Sequence, residues 1–322
     1  MKVLLVGGGS IGTRRLRNLR RLEAGLLALV EPNDARRIAL TNECRLLGFR
    51  SLAEGLAWRP DCAVIATPTN LHMPQALQAA RAGCHLFIEK PLSHNREGIA
   101  DLQREVQARA LVTMVACNMR YHPGPATVKR LLDEGAIGRI LTARLHTGSY
   151  LPRWRPDQDY RQSYSASPEH GGATLDCIHE IDLALWCFGP ARFLAAATLP
   201  ATTLGLETDG LAEILLRHDS GVLASVHLNF LQRDTCRCVQ IIGTDGTIRW
   251  DCSAECVEVF GGDGRLARVI AQPDHWQLNQ MYLDELSGFL DAVRQRRPSV
   301  NPLSGGLAAL EIALAAREQA RA

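Results

Sequence analysis

Apolar and polar residues come in alternating blocks along the first 120 positions. Residues 3–6, 26–30, 62–66, 85–88 and 111–116 are short, nearly continuous apolar runs. Such runs suit strands buried on both faces of a parallel sheet. Between them lie segments with apolar residues three and four apart. The first carries Ile11, Leu16, Leu19 and Leu22, and others span 34–47, 74–82 and 96–109. Strand and helix in this alternation predict a parallel sheet with helices on both faces.

The pattern changes after a helix predicted over 123–134. Residues 140–150 alternate with period two, as a half-buried strand does. Residues 151–164 show neither period and are rich in aromatics and arginines. A segment of that length without regular structure is a functional segment or a disordered one, and its aromatics argue against disorder. Gly171 and Gly172 precede a helix predicted over 174–188. Strand-like runs at 191–198, 211–217, 221–230, 238–242, 247–250 and 257–260 then follow without intervening helices. Turn signals stand at 219–221 and 244–247. Two helices, over 275–294 and 305–321, close the chain. The second half is therefore expected to hold a mainly antiparallel sheet, and the whole to be an α/β protein.

The 322 residues fit roughly two domains, here 1–120 and 121–322, with the C-terminal helix packing back on the first. A net charge of +2, without long runs of one sign, gives no electrostatic case for a nucleic acid or a membrane surface. No apolar run approaches the ~18 residues of a membrane span. The predicted first strand starts at residue 2, which leaves no room for a cleavable signal. The ten cysteines are then read as free thiols of a cytoplasmic protein. A four-thiolate metal site from Cys236, Cys238, Cys252 and Cys256 matches no common zinc spacing. Two cysteines sharing one strand face explain the first pair more simply, so no metal is expected.

Chemistry enters at Gly7, Gly9 and Gly12, spaced G-x-G-x-x-G between the first strand and the first helix. Gly7 permits the tight turn, Gly9 lets backbone approach a pyrophosphate, and Gly12 lets helix sit close on strand. With Ser10 and Ile11 they form the expected phosphate cradle at a helix N-terminus. Glu31, at the end of the second strand, is placed to accept the ribose hydroxyls of an adenosine and to repel a 2′-phosphate. That favours NAD, with NADP as the alternative, because Arg36 and Arg37 lie close downstream. Thr67, Asn70, His72, Glu89, Lys90 and Asn118 stand just past other strand ends, where open α/β sheets bind ligands. They are assigned to the cofactor.

Lys90 is also the candidate to steady a substrate oxygen as charge develops on it. Asp176 and His179 are three apart on a predicted helix and should share a face. His179 has the pKa range for proton transfer, with Asp176 as its partner, Asp182 extending the row and Glu180 as the next candidate. Arg120, Trp154, Tyr160, Arg161 and His179, with Lys90, are the expected substrate contacts. Trp154, Tyr160 and Tyr164 can stack on a sugar ring, while Arg153, Arg155 and Arg161 can hold a carboxylate or phosphate. The account requires the strand tips and the helix at His179 to face one another.

These residues resemble the glucose–fructose oxidoreductase, inositol dehydrogenase and rhizopine-catabolism (Gfo/Idh/MocA) family. The matching stretches are Gly7 to Gly12, Ala66-Thr-Pro-Thr-Asn-Leu-His72, Glu89-Lys-Pro91, Gly171 through Gly189 and Thr244 to Trp250. The resemblance implies a Rossmann domain followed by an α/β domain with an open sheet, and a homodimer or homotetramer often built through that sheet. It implies reversible NAD(P)-dependent oxidation of a hydroxyl on a sugar, polyol or related compound, with Lys90 as the catalytic lysine and His179 as the proton carrier. The commoner family pattern places Asp four residues before His; here the spacing is three. The chain looks like a subgroup with an Asp-x-x-His-Glu-x-Asp helix and a Tyr150 to Arg161 loop, and an acidic or nucleotide-linked sugar is the expected substrate. Two other readings stay open: a dinucleotide-binding regulatory protein without catalysis, and an enzyme that recycles NAD within one turnover for elimination or glycoside cleavage.

Overall fold

Six parallel strands build the first sheet of the computed structural model, which describes residues 1–154 and 156–319. They are β1 (Lys2–Val6), β2 (Leu26–Val30), β3 (Leu47–Phe49), β4 (Cys62–Ile65), β5 (His85–Ile88) and β6 (Thr113–Val115), ordered β3-β2-β1-β4-β5-β6. The helices are α1 (Ser10–Arg21), α2 (Asp34–Cys44), α3 (Leu52–Ala57), α4 (Thr69–Arg81) and α5 (Ile99–Ala108). The apolar runs are strands because both their faces are covered: Val3, Leu4, Leu5, Cys62, Ala63, Val64, Leu86 and Phe87 have no exposure. Strand order reverses between β1 and β4, where such sheets open a ligand crevice.

Register lines up the strand ends. Val6 sits beside Val30 and Ile65, Ile65 beside Ile88, and Ile88 beside Val115. The next residues, Gly7, Glu31, Ala66, Glu89 and Ala116, therefore leave the sheet along one edge.

By contacts, this unit comprises Met1–Asn118 and a later segment, Asn279–Leu307. In that segment the helix Asn279–Gln295 sets Phe289 edge-on against Phe87, with ring centroids 5.5 Å apart. The side-chain amide of Asn301 donates to Val115 O at 3.0 Å, and its backbone carbonyl accepts from Val115 N at 2.9 Å.

The second unit comprises Met119–Leu278 and Ala308–Ala322. It opens with α6 (Pro123–Asp133) and the long β7 (Ile140–Tyr150), then α7 (Ala173–Asp176) and α8 (His179–Phe188). The strands β8 (Ala191–Pro200), β9 (Asp209–His218), β10 (Leu223–Asn229), β11 (Leu231–Gly243), β12 (Gly246–Asp251), β13 (Cys256–Gly261) and β14 (Leu266–Ala271) complete an eight-stranded sheet. Its order is β14-β13-β12-β11-β7-β10-β9-β8, and only β7 with β10 is parallel. The expected α/β fold, a Rossmann-type parallel sheet plus a mainly antiparallel one, is what the chain adopts. Ala143, Leu145, Ala224 and Val226 are buried, while Arg144, His146, Ser225 and His227 lie on the opposite face by the pleat.

Several boundaries depart from the periodicity. α2 stops at Cys44 because Arg45 turns left-handed at φ 51°, which frees Leu47–Phe49 to pair with β2. Polar spacing alone hid β3, α3 and β14. Residues 151–164 hold short 3-10 turns at Leu151–Arg153 and Tyr160–Gln162, and a third, Tyr164–Ala166, follows. The closing helix spans Leu303–Gln319. The largest departure is at the predicted helix 174–188. It is broken: α7 ends at Asp176, Cys177 takes φ −91° and ψ 27°, and α8 begins at His179. All ten cysteines are free thiols. Among the described residues no helix is long and apolar enough to cross a membrane.

Candidate active site

The glycine turn is built as the spacing requires. Gly7 has φ +97°, and a Cβ there would stand 2.8 Å from Ala66 O. A Cβ on Gly12 would lie 1.9 Å from Gly7 O, so helix and turn meet at van der Waals limit only because position 12 has no side chain. Gly9 is different: a Cβ there would meet nothing within 4 Å. The open space lies at the N-terminus of α1, where Gly9 is the cap residue and no side chain caps the helix. Backbone N–H groups of a first turn offered to open space suit a pyrophosphate, so these residues fit a dinucleotide. Ser10 is exposed and Ile11 half-buried beside it.

Glu31 does two things at once. Its Oε2 accepts from Gly8 N at 2.8 Å and its Oε1 from Asn33 N at 2.9 Å, so the carboxylate pins the turn to the end of β2. Oε1 retains a further lone-pair direction for a ribose hydroxyl. Arg36 Nη1 is 3.5 Å from Oε2, and Arg37 is spent on Glu31 O at 2.9 Å and on Asp34.

His72 and Glu89 are assigned to the cofactor by sequence, but the structure spends them inside the protein. His72 is 1% exposed, with Nδ1 2.9 Å from Pro91 O and Nε2 2.9 Å from Thr67 O. It is a strut between the two strand-end loops. Burial lowers its pKa against the opposing pull of the two carbonyls. Thr67 Oγ1 donates to Gln75 Oε1 at 2.7 Å, and Asn70 is exposed at the start of α4. Glu89 accepts from Arg15 Nε at 2.6 Å, and Arg15 Nη2 donates to Glu285 Oε2 at 2.7 Å. Arg15 and Glu285 were not singled out by the sequence: 270 residues separate them, and a helix arginine normally points to solvent. Lys90 follows Glu89, half-buried, before a cis peptide to Pro91. Asn118 is buried at the head of a 3-10 turn, Asn118–Tyr121.

In the second unit the predicted helix is interrupted at Cys177, so Asp176 ends α7 and His179 opens α8. The physical reason lies upstream. Thr174 is anchored through both its N–H (2.7 Å) and Oγ1 (2.5 Å) to Asp209 Oδ2, which directs α7 toward β9. The Asp176 carboxylate accepts from Tyr164 OH at 2.6 Å. His179 is the half-buried first residue of α8, with buried neighbours on each side. Asp182 lies three residues further along α8. It holds Arg120 in a two-pronged pair, Nε to Oδ2 at 2.8 Å and Nη2 to Oδ1 at 2.7 Å, both side chains nearly inaccessible. Arg120 is thus matched in charge within the chain. Glu180 is likewise paired, 2.7 Å from Arg237 Nε.

The 151–164 segment divides its aromatics. Tyr160 packs on a core of Leu151, Ala201, Leu204 and Phe230 and donates to Leu204 O at 3.0 Å, so it supports the loop. Trp154 is 38% exposed, its indole N–H on Ser149 Oγ at 2.8 Å. Arg161 is exposed, its guanidinium 5.2 Å from the Tyr160 ring centroid. Arg153 donates to Arg233 O at 2.9 Å, and Arg155 lies outside the described residues.

Comparison with known proteins agrees with this layout. Residues 1–117 match an oxidoreductase family with an NAD-binding Rossmann fold, and residues 126–249 match the GFO/IDH/MocA C-terminal domain. A levoglucosan dehydrogenase of Pseudarthrobacter phenanthrenivorans is 40% identical over 155 residues, which cover 45% of this chain and 38% of that protein. A myo-inositol 2-dehydrogenase of Thermotoga maritima is 25% identical over 99% of this chain and 96% of its own length. A solved levoglucosan dehydrogenase in complex with NADH and levoglucosan superposes with a TM-score of 0.90 at 22% identity, over 100% of this chain and 97% of that one, a likeness of fold. With matches to both halves, in order and with the strand-end glycines in place, the chain belongs to the GFO/IDH/MocA family of oxidoreductases.

Proposed function

We propose that this oxidoreductase moves a hydride between a nicotinamide and a hydroxyl-bearing carbon of a sugar or polyol, with Lys90 and His179 as its catalytic residues. The observation that carries the reading is the row of strand ends in the first unit. The open turn at Gly9, the carboxylate of Glu31 and the ammonium of Lys90 all leave the sheet along one edge. When bound, NAD supplies the hydride acceptor or donor. The first turn of α1 holds its pyrophosphate, and Glu31 takes the ribose hydroxyls and disfavours a 2′-phosphate. Lys90 donates to the substrate oxygen and stabilises the negative charge that grows there. His179 takes up the hydroxyl proton during oxidation and returns it during reduction. Asp176, bound to Tyr164, shapes the loop before α8. Trp154 and Arg161 are the exposed members of the loop that meet substrate, and Arg161 suits an acidic or nucleotide-linked sugar.

The reading extends to a homodimer or homotetramer built through the eight-stranded sheet, and to a cytoplasmic setting in keeping with ten free thiols. The relatives named above act on levoglucosan and myo-inositol by their names, which supports the substrate class. A screen of sugars, polyols, uronic acids and nucleotide sugars, read by NADH absorbance with each cofactor, tests it. Turnover with at least one hydroxylated substrate and a preference for NAD is expected. Product formation without any NADH accumulating would favour recycled-cofactor chemistry, and dinucleotide binding with no conversion would favour a regulatory protein.

A further inference from the structure

The eight-stranded sheet carries a line of chemically active side chains that the dehydrogenase reading does not use. Register places Glu213 beside His227, His227 beside His146, and His146 beside Cys238, across β9, β10, β7 and β11. Cys236 stands two residues before Cys238, on the same strand face. Its Sγ is 3.9 Å from Cys238 Sγ. Two thiolates bound tetrahedrally to one zinc at Zn–S ≈ 2.3 Å are roughly 3.8 Å apart, so this pair already has the edge length of such a site. A ring nitrogen of His146 and the two sulfurs lie within 4.8 Å of one another, and all three residues are half-buried.

The histidine is also prepared for the task. His146 Nε2 is 3.0 Å from Gln232 Oε1, an acceptor, so the ring proton sits on Nε2 and donates to it, which leaves the lone pair on Nδ1. Gln232 is oriented in turn. Asn229 Nδ2 donates to its Oε1 at 3.3 Å and to His227 Nε2 at 2.8 Å, and His227 Nδ1 donates to Glu213. A chain of hydrogen bonds across four strands thus fixes one tautomer of a ligand-type histidine.

We propose that His146, Cys236 and Cys238 form a site for a thiophilic cation, Zn²⁺ foremost, on this face of the sheet. One imidazole and two thiolates are a soft donor set that takes zinc over magnesium or calcium. Binding releases the thiol protons to solvent and leaves the fourth tetrahedral position to water. Cys252 and Cys256 do not join the three, so the site differs from the four-thiolate arrangement considered from the sequence.

The test is titration of the reduced, metal-free full-length protein with Co²⁺, followed by Zn²⁺. The site predicts thiolate-to-cobalt charge-transfer absorption that saturates at one Co²⁺ per chain and is bleached by one equivalent of Zn²⁺. The signal should vanish in the C236S/C238S variant and weaken in His146→Asn, and should persist in C252S/C256S. Circular dichroism of the metal-free variants controls for folding, and the single His146→Asn change keeps the test open should the double variant misfold. Absence of the band, its survival without Cys236 and Cys238, or its loss only in C252S/C256S would overturn the proposal. So would an intact mass two hydrogens light with a Cys236–Cys238 disulfide in the freshly purified protein.

Discussion

Arg15 Nε stands 2.6 Å from Oε1 of Glu89, and both side chains are buried. The pair ties the helix that starts at the glycine turn to the strand end that carries Lys90. Arg15 then reaches Glu285 on the late helix with its other prong. Burial opposes the Arg15 charge, but the two carboxylates outweigh it and hold its pKa above the ordinary value. Removing the arginine from this buried group leaves its carboxylates uncompensated, which costs about 3–5 kcal/mol. An R15M variant should lose that much in urea unfolding. The combined change of Arg15→Met with Glu285→Gln should recover part of it. A loss within about 0.5 kcal/mol, the scatter of surface substitutions, would mean the pair is not organising the edge.

Glu285 predicts a pH dependence. Burial, reinforced by the charge of Glu89 and opposed by Arg15, pushes its carboxyl up to about 7 from an ordinary 4.5. The folded protein therefore keeps a proton that the unfolded chain gives up first. This group's contribution is most favourable below pH 4.5 and is lost as pH rises toward about 7. Glu285→Gln should gain stability relative to the parent across that window, by a few kcal/mol at most. Chemical denaturation at a series of pH values measures it, and two parallel stability curves would contradict the assignment.

Gly9 and Gly12 should respond differently to the same added methyl group. At Gly12 the Cβ strikes Gly7 O at 1.9 Å, whereas at Gly9 it enters open space. Gly12→Ala should therefore lower the melting temperature and cofactor affinity together. Gly9→Ala should leave the melting temperature within a degree or two, by a rough scaling of about 2–4 °C per kcal/mol, and still weaken NADH binding. Fluorescence titration with NADH beside thermal unfolding separates the two. Unchanged NADH affinity in Gly9→Ala would argue that no phosphate approaches there.

Arg161 is an exposed cation of the 151–164 segment, set over the Tyr160 ring, whereas Arg120 is neutralised by Asp182. Arg161→Ala should raise KM for acidic or nucleotide-linked sugars about tenfold or more, the scale of one charged hydrogen bond, and leave neutral sugars nearly unaffected. Equal losses for both classes would refute charge recognition.

Much of this was readable beforehand, for physical reasons. The parallel sheet announced itself because Val3 to Val6 and Cys62 to Ile65 are apolar on both faces. The glycine turn did so because Gly7 and Gly12 stand where a side chain would strike backbone, while Gly9 keeps the space between them open. The break after Asp176 was hidden: Leu175, Cys177, Ile178 and Ile181 are all buried, so the apolar pattern runs through the interruption unchanged. The commitments of Glu89 to Arg15, of Asp182 to Arg120 and of His72 to two carbonyls depend on partners distant in sequence. The same holds for His146 and its thiols: Cys236 and Cys238 were seen to share a face, but which residue of β7 lies opposite them is a matter of register.

The central claim is that Lys90 acts on the reacting oxygen and is not merely part of the cofactor cradle. The most direct measurement is kcat of Lys90→Met with the substrate found by screening, alongside the NADH dissociation constant of the same protein. The account predicts kcat lower by about 10²–10³, the loss seen when one stabilising donor is removed, with NADH affinity unchanged. Turnover equal to the parent enzyme would contradict it.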